Sequence, residues 1–517
     1  MVVSITGWLL PAIYAVGCLL AFSMSSRLWK MAKITSVTAL LATITVVLTV
    51  LIWGQLTLAA IDTVGLTLSL LVAVLGWVII NYSSRYLGGE PGQTRYIRAM
   101  LLTLTAVCVL VVSRNLLIIV LAWSITSFGL HHLLTFYRER KAARIVAHKK
   151  FLVSRLAEVA LAIALVLVYQ TTGTLWLDDL DVYLASQNSL PLSLQVAALL
   201  FALAAILKTA QLPLHGWLIQ VMEAPTPVSA LLHAGVVNMG GFVLIRLAEL
   251  ISLAPMAQAL LLVVGSITAV LAGLVMLTRV SIKVRLAWST CAQMGFMLME
   301  IGLGLYELAL LHLVAHSVYK AHAFLSAGET VRRARCSDFL KSARVMRSPL
   351  WYLGAVVLSA ALVFGSATVW QQLEPTLVLP QVALLIVALG LAPLLWAEYE
   401  ATPIVLIRGA AQVVALSQMY LLWHLLFAGL APPAAHASVP AVIWVLSCFA
   451  VLYGTQVWLR CFPQGRFARS FYSWVYCGFY LDETFTRLTF RVWPVKFSSE
   501  QAQTLVNKSP AYQGNLR

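Results

Sequence analysis

The sequence predicts an all-α fold, a polytopic transmembrane helical bundle of about 14–15 helices, on three observations. Of the 517 residues, 61% are hydrophobic and only 10% are charged, whereas ordinary soluble domains carry roughly 25% charged residues. The mean hydropathy is +0.90. Apolar runs of about 20 residues recur along the chain, and a helix of that length crosses a hydrocarbon core of about 30 Å.

The apolar runs divide the chain into fifteen predicted membrane spans followed by a more polar end. The spans are residues 6–23, 35–59, 64–80, 99–113, 116–137, 151–170, 194–211, 226–249, 254–277, 286–304, 306–328, 350–370, 380–397, 403–428 and 438–459. The first run lacks a convincing signal-peptidase site, so we expect it to stay in the protein. We assign residues 1–460 to one transmembrane domain. Residues 461–517 are first aromatic and amphipathic and then polar, which predicts an interfacial segment and a cytoplasmic tail.

The distribution of the net charge of +16 indicates a membrane protein and not a protein that binds nucleic acid. Basic residues are concentrated in alternate loops, including 138–150 and 332–347, whereas the loop with Asp178, Asp179 and Asp181 is acidic. Lysine and arginine collect in the cytoplasmic loops of membrane proteins. The pattern therefore predicts an outside N-terminus, a cytoplasmic C-terminus, contact with membrane lipid and no binding of nucleic acid.

The cysteines indicate neither a disulfide framework nor a metal site. All seven are scattered singly, with no Cys-x-x-Cys pair and no Cys/His spacing that suits zinc. No quinone or flavin motif is present either. We predict no cofactor within this chain.

Lys208 lies deep in an otherwise apolar run, VAALLFALAAILKTAQ. A lysine at the bilayer centre costs about 2.5–3.5 kcal/mol on insertion scales, so such residues face a bundle interior or a water-filled cavity and mark ion pathways. We therefore predict that Lys208 takes up and releases protons. The alternative is a lysine whose ammonium reaches back to the membrane interface.

Three prolines after this lysine predict a broken helix at membrane depth. Pro213, Pro225 and Pro227 lack a backbone donor and disfavour the helical region in the residue before them. Broken helices persist in membranes only where protein or water satisfies the freed backbone groups, as at transporter ion sites. Ordinary proline turns are the alternative. Glu223, before the second break, and His233, in the apolar run after it, are further pathway candidates.

The run LHLVAHSVYKAHAFL places His312, His316 and Lys320 at positions i, i+4 and i+8. Side chains with this spacing lie along one face of a helix, about 6 Å apart along its axis. A few water molecules would connect them into a proton wire. A polar seam that holds helices together by hydrogen bonds is the alternative.

Arg155 and Glu158, three residues apart, lie on one face of the sixth predicted span and are expected to pair near its cytoplasmic edge. A pathway role and a plain helix-end salt bridge are both open.

The stretch KTAQLPLHGWL, followed by MEAPTPVSALLHA, closely resembles the signature of the antiporter-like membrane subunits of respiratory complex I and of Mrp-type sodium/proton antiporters. The His-x-x-x-His-x-x-x-Lys arrangement matches the same family. The resemblance implies two inverted five-helix repeats, each with a broken helix, and proton translocation through the transmembrane domain. It implies a proton pathway through Lys208, His233, His312, His316 and Lys320.

Two departures from the family pattern stand out. Ser124 occupies the position of the glutamate that pairs with Lys208 in the family, so we expect this lysine to lack a carboxylate partner and its coupling role to be altered or lost. His131 and His132, further along the same span, are candidate substitutes, although a structural pair is equally open. The second departure is in residues 350–370, which hold no lysine where the family ends its channel with one.

These departures favour a resemblance to the shorter antiporter-like subunit of DAB-type inorganic carbon accumulation complexes. That resemblance implies a subunit of the bacterial inner membrane that passes H⁺ or Na⁺ and is not itself an enzyme. It also implies a large cytoplasmic zinc-containing partner related to carbonic anhydrases, with FYLDETFTRLTF near the C-terminus as the candidate docking element. The alternatives are a complex I or Mrp subunit and a membrane scaffold that conducts nothing.

Overall fold

Long apolar helices make up the fold. A computed structural model of the protein describes residues 5–23, 27–53, 61–137, 139–187, 189–220, 224–329, 347–375, 377–396, 402–432 and 437–492. The helices are α1 Leu9–Ser23, α2 Leu28–Trp53, α3 Thr63–Tyr86, α4 Gln93–Val112, α5 Leu116–Leu134, α6 Lys141–Thr172, α7 Leu177–Ala185, α8 Leu192–Lys208, α9 Gly216–Ile219, α10 Thr226–Ala234, α11 Met239–Arg246, α12 Ala248–Ser252, α13 Pro255–Leu277, α14 Ile282–Gly302, α15 Tyr306–Leu325, α16 Pro349–Leu373, α17 Gln381–Leu391, α18 Pro403–Phe427, α19 Val439–Cys461, α20 Arg466–Tyr476 and α21 Leu481–Val492.

The predicted all-α membrane bundle is confirmed. Within the described residues, twelve helices are long and apolar enough to cross a membrane. Each of the fifteen predicted spans overlaps a helix. The three outside the twelve are α8 and α17, which are shorter, and α14, which carries Lys283, Arg285 and Glu300.

Polar residues at several helix ends explain where the helices begin and stop. The Asp62 side chain caps α3 by accepting from the Gly65 amide, and Asn115 caps α5 by accepting from Leu117. Such caps satisfy amide groups that have no partner within the helix. Gly173, with a φ of 73°, ends α6 in the left-handed conformation that glycine adopts without strain.

One large hydrophobic cluster and a smaller one make up most of the core, and two further clusters hold only two and three buried residues. The large cluster draws on α1 to α15, and the smaller one holds residues of α16 to α18 such as Val363 and Val413. Apolar side chains also point outward, including Leu121, Val166 and Ile404, which is 77% exposed. An outer surface of this kind suits hydrocarbon, because lipid tails solvate apolar side chains.

The predicted seventh and eighth spans are more broken than the prolines suggested. α8 ends at Lys208, before Pro213, and the short helix α9 follows before α10. Pro225 lies at the N-cap of α10, and Pro227 is in its first turn. The eighth span was predicted as continuous, but it breaks again at Gly235, where a short 3₁₀ turn separates α10 from α11. Glycine is tolerated at this second break because it carries no Cβ.

Candidate ion pathway

Lys208 is the last residue of α8, and it lies inside the bundle, only 8% exposed. Its Nζ donates a hydrogen bond to the Trp123 carbonyl at 3.3 Å and lies 4.7 Å from the centre of the Trp123 ring. A cation over an indole face is stabilised by about 2 kcal/mol or more when desolvated. α5 therefore gives this lysine a carbonyl and a ring face.

The prediction that Lys208 has no carboxylate partner is wrong. Glu158 of α6 places its Oε1 3.7 Å from the Lys208 Nζ, and the same oxygen accepts from Arg155 at 2.8 Å. Tight packing of α6 against α8 brings the two side chains together. Ser124 turns back on its own helix and donates to the Val120 carbonyl. The carboxylate thus comes from the neighbouring helix.

The structure places His131 beside His132 and Phe151. The His131 ring lies 6.0 Å from that of His132 and 6.4 Å from that of Phe151. The substitute partner proposed for the missing α5 glutamate is therefore Glu158, not this histidine pair. The histidines remain candidates further along the path.

The backbone groups freed by the break after α8 are satisfied by α13 and α14. The Leu212 amide donates to Thr268 Oγ1 at 3.2 Å, and the Cys291 thiol donates to the Ala210 carbonyl at 3.6 Å. Buried, unpaired backbone groups are costly in a membrane, so these contacts make the break tenable. Neither partner could be predicted from the sequence.

Two consecutive lysines at the start of the sixth span extend the site toward the cytoplasmic side predicted from the loop charges. Lys150 is buried, donates weakly to the Ser127 carbonyl at 3.5 Å and lies within electrostatic reach of Lys208. Lys149 is fully buried and pairs with Asp482 of α21 at 2.9 Å. Both were missed, because they had been counted only as loop charges.

The predicted stripe on α15 lies on the inward face. The rings of His312 and His316 are 6.1 Å apart, as their four-residue spacing requires. Lys320 is fully buried and donates to the Leu286 carbonyl at 3.3 Å and to the Ser289 hydroxyl, both on α14. Neither ring nitrogen of His316 has a hydrogen-bond partner among the described residues. Buried polar atoms of this kind are normally satisfied by water.

His233 lies on the first part of the broken helix and faces α15. It is buried on α10 and stacks on Phe324 of α15, with ring centres 4.5 Å apart. It is within electrostatic reach of both Lys320 and His316. Asn238, in the 3₁₀ turn after α10, donates to Ser317 of α15 at 2.7 Å.

Glu300 of α14 is a functional candidate that sequence reasoning missed. It is 7% exposed, and its Oε2 lies 2.9 Å from His312 Nδ1. A glutamate at the end of an otherwise apolar span was a usable signal, because an acid at membrane depth marks a site by the same argument as a lysine.

The remaining predicted residues lie away from the site or beyond the described chain. α16 carries no charged residue, so it holds no lysine to end a channel. The pathway candidate Glu223 lies outside the described residues.

Nine buried or half-buried ionisable groups form two clusters joined by the broken helix. The Lys208 cluster comprises Lys150, Arg155, Glu158 and Lys208, and the α15 cluster comprises His233, Glu300, His312, His316 and Lys320. α11 packs against both α8 and α15, and α10 packs against α5 and α15. Groups that both accept and donate protons, linked by water, provide what a proton relay needs.

Comparison with known proteins identifies the family. Residues 113–366 match the family described as NADH:quinone oxidoreductase/Mrp antiporter, TM. The probable inorganic carbon transporter subunit DabB of Hydrogenovibrio crunogenus is 39% identical over 445 residues, covering 82% of this chain and 82% of that protein. This chain belongs to the DabB family of antiporter-like membrane subunits. A second member, DabB2 of Halothiobacillus neapolitanus, is 41% identical over 446 residues, covering 84% of this chain and 80% of that protein.

A solved structure shares the family fold. One chain of the Mrp complex from Dietzia sp. DQ12-45-1b superposes with a TM-score of 0.55 and 22% identity, covering 100% of this chain and 60% of that chain. The resemblance that the two sequence motifs indicated is thereby confirmed, and both motifs lie within the matched residues. The DabB-family chain is a multi-pass membrane protein with an antiporter-like fold.

Proposed function

We propose that this chain is the cation-translocating membrane subunit of an inorganic carbon uptake complex and that the cation is the proton. Protons pass from outside to the cytoplasm through the α15 cluster, His233 and the Lys208 cluster. Their flux drives CO₂ hydration by a large zinc-containing cytoplasmic subunit related to carbonic anhydrases. The DabB relatives are named as inorganic carbon transporter subunits, which supports the substrate.

One observation carries the proposal. Three basic side chains at membrane depth, those of Lys150, Lys208 and Lys320, are each at most 8% exposed, yet the described residues place only one carboxylate, Glu158, in an ion pair with any of them. Uncompensated cations are expensive in a membrane interior and persist there when water and a mobile ion reach them. A scaffold without ion flux has no use for this arrangement.

The basic loops of this chain and the exposed faces of its C-terminal helices support a location for the partner subunit. The basic loops predict a cytoplasmic C-terminus, and α20 and α21 follow the last long helix. Both carry apolar and aromatic side chains on their exposed faces, including Phe467, Trp474 and Leu488. These faces are the proposed docking surface for the zinc subunit at the bacterial inner membrane.

Growth in air tests the function of the whole complex. A bacterial host without its own carbonic anhydrase would express this chain with its partner subunit and would be grown at ambient CO₂. We expect Lys208→Ala and Lys320→Ala to abolish rescue while the protein still inserts, as judged by its amount in the membrane fraction. The control is Lys30→Ala, which removes an exposed lysine at the start of α2. Full rescue by both buried-lysine variants would reject the proposal and favour the scaffold.

Ion flux tests the cation directly. The purified complex would be reconstituted into vesicles that contain a pH-sensitive dye, and a potassium diffusion potential would be applied. Acidification in wild type and its loss in Lys208→Ala support proton passage. Uptake of radioactive sodium without acidification would reject the proton as the cation.

A further inference from the structure

The family's final channel lysine is absent from α16, so the α15 cluster needs another connection to the outside. The loop charges place the Gly302 end of α14 and the Tyr306 end of α15 on that side. His312 and Glu300, which pair at 2.9 Å, are the members of the α15 cluster nearest to these ends. A connection from the α15 cluster to the outside would therefore start at Glu300.

A second polar group lies within reach of Glu300. Tyr420 of α18 has its hydroxyl shielded from solvent, with no hydrogen-bond partner among the described residues, and is in electrostatic reach of Glu300. Its ring packs against both hydrophobic clusters, so it sits where α18 meets the main bundle. The helix that carries it, α18, packs against α15, which carries His312. A shielded hydroxyl at this junction, with no hydrogen-bond partner among the described residues, calls for an explanation.

His424 continues the line by one helical turn on the same helix. Its ring is parallel to that of Tyr420, at 6.2 Å between centres and 7° between planes. His424 is 3% exposed, and its Nε2 lies 3.0 Å from the Val378 carbonyl. Because a carbonyl only accepts, Nε2 carries the hydrogen and Nδ1 is left as an acceptor without a protein partner among the described residues.

Beyond His424 a cavity of about 300 Å³ reaches the surface. Glu307 and His424 line it together with apolar side chains, among them Leu308 and Val378. Val378 is 74% exposed, which marks the open edge. A cavity of this volume with two ionisable groups in its wall has room and partners for several water molecules.

We propose that Glu300, Tyr420 and His424 form the outer access route of the pathway, and that they take protons from the cavity lined by Glu307. The route stands in place of the absent lysine of the family's last channel step. His424 receives a proton at Nδ1. Tyr420 passes its hydroxyl proton to Glu300 and takes the Nδ1 proton of His424 in its place. Glu300 then passes a proton to His312. His424, Tyr420 and Glu300 thereby each return to their starting state. This inference rests on the proposed proton-conducting function.

The dye-loaded vesicles described above test the route. We expect Glu300→Gln, His424→Leu and Tyr420→Phe each to lower proton flux by about a hundredfold, since the loss of a positioned proton-transfer group has effects of that order. Glu300→Asp, which keeps the carboxylate, should retain most of the flux. Matched controls make the same changes elsewhere: Glu249→Gln, Tyr453→Phe and His322→Leu should conduct like wild type.

The outcomes separate this inference from the proposed function. If wild type conducts and Lys320→Ala does not, while Glu300→Gln and His424→Leu conduct fully, only the outer route is overturned. If wild type itself does not conduct protons, the proposed function fails. Elution of each variant as a single species in detergent shows that loss of flux is not loss of fold.

Chemical modification adds a measurement that a structural role would not move. Leu308→Cys places a thiol in the cavity wall. A membrane-impermeant cationic thiol reagent, added from the outside, should block its flux while leaving treated wild type and Leu350→Cys unaffected. Full flux after complete modification of the cavity thiol would overturn the route.

Discussion

At the scale of single residues, the position of the carboxylate beside Lys208 is the main departure from the family pattern. The resemblance to the antiporter-like subunits implied a glutamate in the fifth span, where this chain has Ser124. Here Glu158 supplies it from α6 and is shared with Arg155. One negative charge thus faces two cations, and the pair is less tightly neutralised than a simple salt bridge would be.

This arrangement predicts the effect of Glu158→Gln. The change leaves Lys208 buried without a counter-charge, and removing one partner of a buried pair costs about 3–5 kcal/mol. We expect proton flux in vesicles to fall below a tenth of wild type, on the order seen when a positioned charged group is lost. The control Glu139→Gln makes the same substitution at an exposed glutamate in the loop before α6, and this variant should conduct normally.

A second substitution sharpens the test. Ser124→Glu in the Glu158→Gln background returns a carboxylate to the fifth span, next to the Trp123 carbonyl that Lys208 already contacts. Recovery of flux would show that the charge beside Lys208 matters and its helix of origin does not. Normal flux in Glu158→Gln alone would contradict the assigned pairing, whereas reduced flux without recovery would show that the helix that supplies the carboxylate matters.

Much of the site could be predicted from the sequence at this scale, and the rest could not for a physical reason. Spacing along one helix placed His312, His316 and Lys320 on a common face, since that depends only on local geometry. The approach of Glu158 to Lys208 depends on the register between α6 and α8, which local spacing does not encode. Tyr420 and His424 were missed for the same reason.

At the scale of elements, the breaks show what proline can and cannot signal. Pro213, Pro225 and Pro227 mark positions that do not continue a helix. They do not determine where the preceding helix ends, because that depends on partners for the freed carbonyls. α8 stops early, at Lys208, where Thr268 meets the broken segment. The break at Gly235 has no proline at all and was not predicted.

Close contact between α13 and α14 supports the broken segment from one side. A Cβ atom added at Gly265 would lie 2.6 Å from the Gly295 carbonyl oxygen of the facing helix. Small residues permit such backbone contact between membrane helices. Because Thr268 and Cys291 lie on these same two helices, their spacing also sets the position of the loop after Lys208.

Gly265→Val is therefore predicted to destabilise the protein by about 1–3 kcal/mol, the usual penalty of overpacking. Gly273→Val on the same helix is the control, because a Cβ atom there meets only Leu452 at 4.0 Å. Thermal unfolding in detergent, followed by tryptophan fluorescence, measures the difference. Equal melting temperatures for the two variants would argue against close helix contact at this crossing.

At the scale of the whole molecule, the C-terminal segment folds back onto the pathway. Asp482 of α21 accepts hydrogen bonds from Lys149 at 2.9 Å and from Gln220 at 2.8 Å. Its carboxylate lies against Gly216 of α9, and a Cβ atom at Gly216 would occupy the space of the carboxylate. The sequence predicted an amphipathic docking segment here, but it did not reveal this anchor between residues far apart in the chain. Lys150 follows directly and lies within electrostatic reach of Lys208, so the anchor joins the proposed docking surface to the Lys208 cluster.

The final prediction concerns this anchor. Lys149 is fully buried and the Asp482 side chain is 22% exposed. Asp482→Asn therefore leaves a buried lysine without its counter-charge, which costs about 3–5 kcal/mol of stability and should release α21. In inside-out vesicles, trypsin should then cleave after Arg487 or Arg491 faster than in wild type, and growth rescue should be lost. Glu483→Gln, the exposed neighbouring acid, should change neither. Because trypsin meets only the cytoplasmic face in such vesicles, cleavage there also tests the predicted orientation. Slow cleavage of Asp482→Asn would show that the ion pair does not hold the segment in place.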